Sequence, residues 1–428
     1  MFCYHSLESK VIWGVSLTAE VIVYNKNAIA LAADSAVTVY GSKTYNSANK
    51  LFMLSKYYPV GVLIYNSASI NGISIEIIIK EYRKKLGKKC FATLKEYKDD
   101  FVKFLKEFLA KQITDNDKKT SLINQLYNLF NYVFSLPNVP QVQQGQDFFT
   151  VINAFLDDVL SYISKSYNKD TDIDFSIIDL KKEIENLISI KTKLQQINPD
   201  TITKLIEILP YYMNIPFNPN LTGIAICGYG EDEFSPMVYG FETIGFVNNF
   251  FKISDLQNNE GSSNGVIPLA QRDMTDLFIK GVDMRVYEFI VSQYNQFIDD
   301  FFSKIPGVDP VFARYVKTNK QVISEKIQDV LQQEKIQPLL DVISILSKDE
   351  LAELGESLVN LQALKHKMSL NMETVGGPID VAIISKHDGF IWKKRKLYFD
   401  KDINKHFFEN YFSKDEVCDI IKNKEGEK

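Results

Sequence analysis

The sequence predicts an α+β protein, and three observations predict it. Short runs of β-branched and small residues open the chain over residues 19–65. Comparable runs return over 222–269 and again over 375–392. Between them lie two long stretches whose apolar residues repeat at helical spacing. The order strands, helices, strands, helices, strands differs from the alternation of a parallel sheet. It points to antiparallel sheets with helices layered on them.

Val21-Ile22-Val23-Tyr24 is a β-branched and aromatic run, Asn25-Lys26-Asn27 a polar turn, and Ala28 to Ala33 the returning strand. The small Ala30, Ala32 and Ala33 suit a strand closely covered on both faces. Thr38-Val39-Tyr40 and Lys43-Thr44-Tyr45 read as a second hairpin about Gly41-Ser42. Leu51 to Leu54 and Val60 to Tyr65 supply two more strands. Ile70 to Leu86 reads as a helix stopped by Gly87. Leu94, Tyr97, Phe101, Phe104, Leu105 and Phe108 then repeat at helical spacing, as do Leu122, Leu126, Leu129 and Val133. After a Pro- and Gln-rich loop from Leu136 to Gln146, helical patterns resume over Val151 to Ile163, Ile177 to Ile188 and Thr201 to Leu209. Pro210 and Pro216 are expected to close this section. The aromatic stripes of these helices read as core.

Strand signals return at Thr222 to Gly230 and, after a polar turn, at Met237 to Phe241. Ile244 to Ile253 and Val266 to Leu269 are further strand candidates. Asp273 to Met368 reads as helical, interrupted at Gly307-Val308-Asp309-Pro310. Val375 to Ile384 is the last clear sheet element, turned by Asp388-Gly389 into Phe390-Ile391-Trp392. Sheet-bearing segments are therefore expected at 18–90, 216–272 and 349–410. Residues 91–215 are expected as a helical insertion, and 273–348 as a helical insertion or extended helices. Residues 1–17 read as an N-terminal extension or a mis-assigned start, and 411–428 as a charged tail.

The 428 residues suffice for one large domain with insertions or for two or three domains. A charged fraction of 24% and a net charge of -5 give no electrostatic reason to expect nucleic-acid binding. Lys393-Lys394-Arg395-Lys396 reads as a solvated strand exit rather than a nucleic-acid patch. The cysteines, Cys3, Cys90, Cys227 and Cys418, are widely spaced and look like reduced thiols. His5, His366, His387 and His406 are equally scattered, so no metal site and no cofactor is expected. With no run of 18 apolar residues and no convincing signal peptide, the expectation is a cytoplasmic protein that does not span a membrane.

The chemistry concentrates in Thr18, Asp34 and Lys50. A threonine hydroxyl is a poor nucleophile near neutral pH and needs a base beside it. If Thr18 becomes the first residue of the chain, its own α-amine can take the proton, because an α-amine titrates near pH 8. A nearby cation lowers that pKa and stabilises developing alkoxide. Lys50 is the candidate cation, and Asp34 would hold and orient it. The turn at Asn66-Ser67-Ala68 is the candidate source of oxyanion-hole N–H donors, with Ser67 and Ala68 lining it. Singly, each residue has an ordinary reading: Thr18 a strand residue, Asp34 a turn former, Lys50 a surface lysine. Jointly, Asp and Lys fall on both required positions by composition about once in a hundred cases.

In these residues the sequence resembles the catalytic proteasome β-subunits and their bacterial ring-peptidase relatives, where Asp and Lys follow the threonine at the same spacing. Leu31-Ala32-Ala33-Asp34-Ser35, the Ala225 to Tyr239 hairpin and Gly376-Gly377-Pro378-Ile379-Asp380-Val381 also look like that family. The resemblance implies a four-layer αββα sandwich of the N-terminal-nucleophile (Ntn) hydrolase class, here with large helical insertions. It implies a threonine-type peptidase or amidohydrolase that cleaves peptide or amide bonds through an acyl-enzyme, and a possible homo-oligomer. The alternative is an inactive Ntn-fold scaffold or ring subunit with a helical partner-binding insertion.

Three departures accompany the resemblance. Leu17 precedes Thr18 where self-processing relatives carry Gly, so release of Thr18 is expected by another route, such as translation starting at codon 17. Val375 and Met372 stand where the family has a supporting Ser and Asp, with Glu373 nearby and Ser262 or Ser263 as candidate substitutes. The helical insertions exceed the family's connections.

Overall fold

The computed structural model describes residues 19–39, 43–136, 139–140, 147–170, 172–176, 178–192, 198–215, 221–256, 258–304, 309–368 and 376–406. The extension 1–17, Thr18, the turn at 40–42, Val375 and the tail 411–428 lie outside them.

Two five-stranded antiparallel sheets carry the fold. In the first, β1 (Ala19–Tyr24) and β2 (Ile29–Ala33) form the predicted hairpin, with Glu20 opposite Ala33 and Tyr24 opposite Ile29. β12 (Gly265–Ala270) flanks β1, while β13 (Asp380–Ser385) and β14 (Gly389–Lys394) extend the other edge, in the order β12-β1-β2-β13-β14. The second sheet contains β5 (Leu51–Met53), β6 (Val60–Asn66), β9 (Thr222–Gly228), β10 (Met237–Val247) and β11 (Phe250–Asp255), in the order β11-β10-β9-β6-β5. β3 (Val37–Val39) pairs with β4 (Lys43–Tyr45), and β7 (Ser69–Ile70) with β8 (Ile73–Ser74).

Period-two alternation assigns the faces of the first sheet. Ala19, Val21 and Val23 of β1, with Ala28, Ala30 and Ala32 beside and in β2, pack against Ile343, Leu351, Leu358 and Val359. These belong to α10 (Gln337–Ile345) and α11 (Lys348–Lys367). Gly355 of α11 sits so close that an added Cβ would lie 3.5 Å from Ala32 Cβ, which explains why the facing strands are alanine-rich. The opposite parity, Ile22, Tyr24, Ile29, Leu31 and Ala33, shares a core with Leu63, Tyr65, Ala225, Cys227 and Val238 of the second sheet. Asn25 secures the β1–β2 turn by donating to the carbonyls of Ile343 (3.0 Å) and Leu346 (2.9 Å).

The other face of the second sheet is covered by α1 (Ile75–Leu86) and α2 (Leu94–Gln112), through Ile78, Ile79, Tyr82, Tyr97, Phe101 and Leu105. A capping box of Thr93 and Glu96 starts α2. Although the sequence reading places α2 in the helical insertion, it shares its core with α1. A separate helical core joins α3 (Asp115–Ser135), α4 (Phe148–Ser166), α5 (Leu180–Thr192) and α6 (Pro199–Tyr212), and reaches the sheet through Ile244 and Val247. The aromatic stripes are core, as expected. α7 (Asp273–Lys280), α8 (Met284–Ser303) and α9 (Pro310–Leu331) follow, and a π-helical turn at Gln332–Ile336 joins α9 to α10.

Several elements differ from the sequence reading. Ile70 is not helical. It lies in a two-residue strand turned by Asn71-Gly72, both at positive φ, and the helix begins at Ile75. Asn-Gly is the preferred pair for such a turn, and it outweighed the apolar periodicity. Pro210 sits inside α6, in its last turn, instead of ending it. β10 is one strand of 11 residues, because a bulge between Thr243 and Gly245 (φ 76°) absorbs what reads as a break.

Candidate active site

Asp34 follows β2 directly and stands beside the amino end of β1, because Glu20 pairs with Ala33. Its side chain is fully buried and, among the described residues, accepts from four N–H groups. Oδ1 takes the Lys50 ammonium and the Ala19 amide (3.1 Å). Oδ2 takes the amides of Ala36 (3.3 Å) and Gly376 (2.9 Å). The backbone closes the same junction: Asp34 N donates to Ala19 O (3.1 Å) and Ser35 N to Gly376 O (3.1 Å), while Ser35 Oγ donates to Pro378 O. Lys50, 4% exposed, precedes β5 and is held by its carbonyl, which accepts from Ile64 N (2.9 Å). The two predicted partners therefore meet, sixteen positions apart in sequence. The predicted nucleophile, Thr18, lies outside the described residues.

Glu20 is a third member that the sequence reading missed. It is fully buried and its Oε1 lies 3.3 Å from Lys50 Nζ. The signal was present: Glu20 has the parity of Ile22 and Tyr24, so a charged side chain enters the apolar layer between the sheets. On the facing strand, Tyr65 Oη donates to Glu242 Oε1 (3.1 Å). Burial, then the charge of Glu242, pushes the Tyr65 phenol well above its usual range, and Glu20 adds to this. Burial likewise raises the Glu242 carboxyl. Tyr65 lies flat over Gly223, where an added Cβ would come within 2.0 Å of its ring.

Lys50 opens onto a small, shallow recess lined by Ala48, Ile64, Tyr65, Asn66, Ser67 and Ala68. Both predicted oxyanion residues thus line the same recess as Lys50. The Ser67 amide donates to Leu221 O (3.2 Å), and its hydroxyl donates to Ser69 O (2.9 Å). Asn66 adopts φ 63°, uncommon for a residue other than glycine and enriched at functional turns.

Ser262 and Ser263 sit just before Gly265, which pairs with Tyr24, whereas Ala19 pairs with Ala270. They lie at the far end of β1 and cannot support the Asp34 junction. Met372 and Glu373 lie outside the described residues, as do Cys3 and Cys418; Cys90 and Cys227 are free thiols. The basic run is consumed by neighbours. Lys393 pairs with Asp349 (2.9 Å), Lys394 with Glu356 (2.5 Å) and Lys396 with Asp380, and Arg395 stacks 4.8 Å from the Trp392 ring centroid. Among the described residues, no three His, Cys, Asp or Glu side chains group as a metal site, and no helix is long and apolar enough to cross a membrane.

In class, the chain is a mixed helix-and-sheet protein with antiparallel sheets, and solved structures of Anbu proteins align with it over nearly its whole length. Anbu from Hyphomicrobium sp. strain MC1 covers 95% of this chain and 97% of its own, at 8% identity and a TM-score of 0.28. Anbu, described as an ancestral beta-subunit, from Yersinia bercovieri covers 92% and 95%, at 7% identity and the same TM-score. No protein-family model matches the sequence, and no curated protein does.

Proposed function

We propose that this chain is an Ntn-class threonine hydrolase, built as a four-layer αββα sandwich, that cleaves peptide or amide bonds through an acyl-enzyme. One observation carries the reading: the buried Asp34 carboxylate joins the Lys50 ammonium to the backbone amide that follows Thr18. Once Leu17 is removed, Thr18 Oγ attacks the scissile carbonyl and its proton passes to the Thr18 α-amine. The amine then protonates the departing nitrogen. Water, deprotonated by the same amine, attacks the ester, and collapse of that intermediate restores the Thr18 hydroxyl. Lys50 keeps positive charge beside the developing alkoxide, and Asp34 holds Lys50 in place. We assign the oxyanion to the 66–68 turn through the Ala68 amide, since that of Ser67 serves Leu221.

The test is labelling by a threonine-directed epoxyketone or β-lactone with mass mapping, run beside Thr18→Ala. The expected result is adduct on Thr18 and loss of hydrolysis by at least about 10³-fold in a folded variant. Undiminished hydrolysis by Thr18→Ala removes the mechanism. The engaged Ser67 amide is the observation that favours the second reading, an inactive scaffold. Protein from its own host that retains residues 1–17 supports that reading.

A further inference from the structure

We infer that Glu20 is a positioning residue of this site, holding the Lys50 ammonium together with Asp34. The inference rests on the threonine-hydrolase reading for its kinetic consequence, but its geometry stands alone. β1 turns Glu20 toward the second sheet, among Ile22, Tyr24, Leu63 and Tyr65, where an ionised carboxylate is costly unless paired. Lys50 Nζ lies 3.3 Å from Glu20 Oε1, an ion-pair contact without hydrogen-bond geometry, while it also donates to Asp34. Two carboxylates therefore share one buried ammonium. With Asp34 alone, Nζ would have one charged anchor and could swing toward the recess at Ser67; the second anchor fixes it.

The three groups carry a formal charge of −1. The α-amine of a released Thr18 is covalently two residues from Glu20, so it titrates in a field that favours its protonated form. Among the described residues, the charged and titratable groups near Glu20 include Lys50 before β5, Asp34 beyond β2, Tyr65 on β6 and, hydrogen-bonded to Tyr65, Glu242 on β10. His366 of α11 lies within electrostatic reach of Asp34. Glu20→Gln removes one negative charge and keeps the shape. The acid limb of kcat/KM, where the amine must be neutral to act as base, is then expected to move to lower pH by about one unit. kcat is expected to fall about tenfold or more, with KM little changed, because Lys50 loses its fixed position.

Two measurements decide it. The pH profile of Glu20→Gln, checked for folding by circular dichroism, is compared with that of the parent and of Glu20→Asp, whose shorter arm retains the charge. An unshifted acid limb in Glu20→Gln overturns the inference even if Thr18→Ala is inactive, and leaves the threonine mechanism standing. The second readout needs no activity. The ¹⁵Nζ signal of Lys50, identified by its loss in Lys50→Arg, is expected in the parent and broadened by solvent exchange in Glu20→Gln. Equal exchange in both proteins overturns the role of Glu20, whether or not the chain proves to be an enzyme.

Discussion

Asp34→Asn is the sharpest perturbation of the site, because the change is isosteric and the structure dictates its cost. The carboxylate receives donors on both oxygens: Lys50 Nζ and Ala19 N on one, Ala36 N and Gly376 N on the other. An asparagine has one oxygen and one NH₂ group, so either orientation aims a donor at two donors. Each buried polar group left without a partner costs about 1–3 kcal/mol, and breaking a buried ion pair about 3–5 kcal/mol. These terms overlap, and Glu20 still faces Lys50. The expected loss is therefore about 3–5 kcal/mol, a large part of the roughly 5–15 kcal/mol that stabilises a typical domain. Urea unfolding followed by circular dichroism measures it. Asp388→Asn is the control, since its partner Lys348 is half exposed, and it should leave the urea midpoint almost unmoved. A midpoint for Asp34→Asn equal to that of the control would refute the idea that this carboxylate organises the junction.

Gly223→Ala places a Cβ about 2.0 Å from the Tyr65 ring, so the ring must leave and its bond to Glu242 breaks. A loss of about 1–3 kcal/mol in urea is expected, with Tyr65 displaced in a crystal structure of the variant. Burial holds the His366 imidazole below its usual range. Such a group contributes stability above the unfolded pKa of 6.5 and loses it as pH falls through the folded value. His366→Gln is accordingly expected to flatten the fall in Tm between about pH 7 and pH 5, and an equally steep fall in parent and variant would contradict this.

Much of the frame is legible in the sequence because the strands announce themselves locally. The Val21 to Tyr24 run, its polar turn and the alanine-rich return need only nearest neighbours to be read. The Asp34–Lys50 contact is legible for a different reason: the two residues carry the spacing of the family that the sequence resembles, although they flank strands of different sheets. Glu20 is harder to read because a glutamate in a strand normally faces solvent, and only its parity with Ile22 and Tyr24 marks it as buried. The Ser67 amide could not be assigned from the sequence, since its acceptor, Leu221, arrives from beyond the helices of residues 94–212. Ile70 and Pro210 depart from the sequence expectation because turn chemistry, and tertiary packing of a helix end, outweigh a local rule.

Asp34 takes one of its donors from Gly376, 342 positions downstream, and β2 takes β13 as its neighbour. A hairpin that forms early in synthesis therefore waits for most of the polypeptide before its charged centre is complete. Loop closure over such a span is slow relative to local folding. Until it happens, Lys50 and its two carboxylates remain open to water, which screens their attraction. Completion of the chain thus sets the moment at which the centre becomes dry and ordered, so an unfinished polypeptide carries the residues without the arrangement.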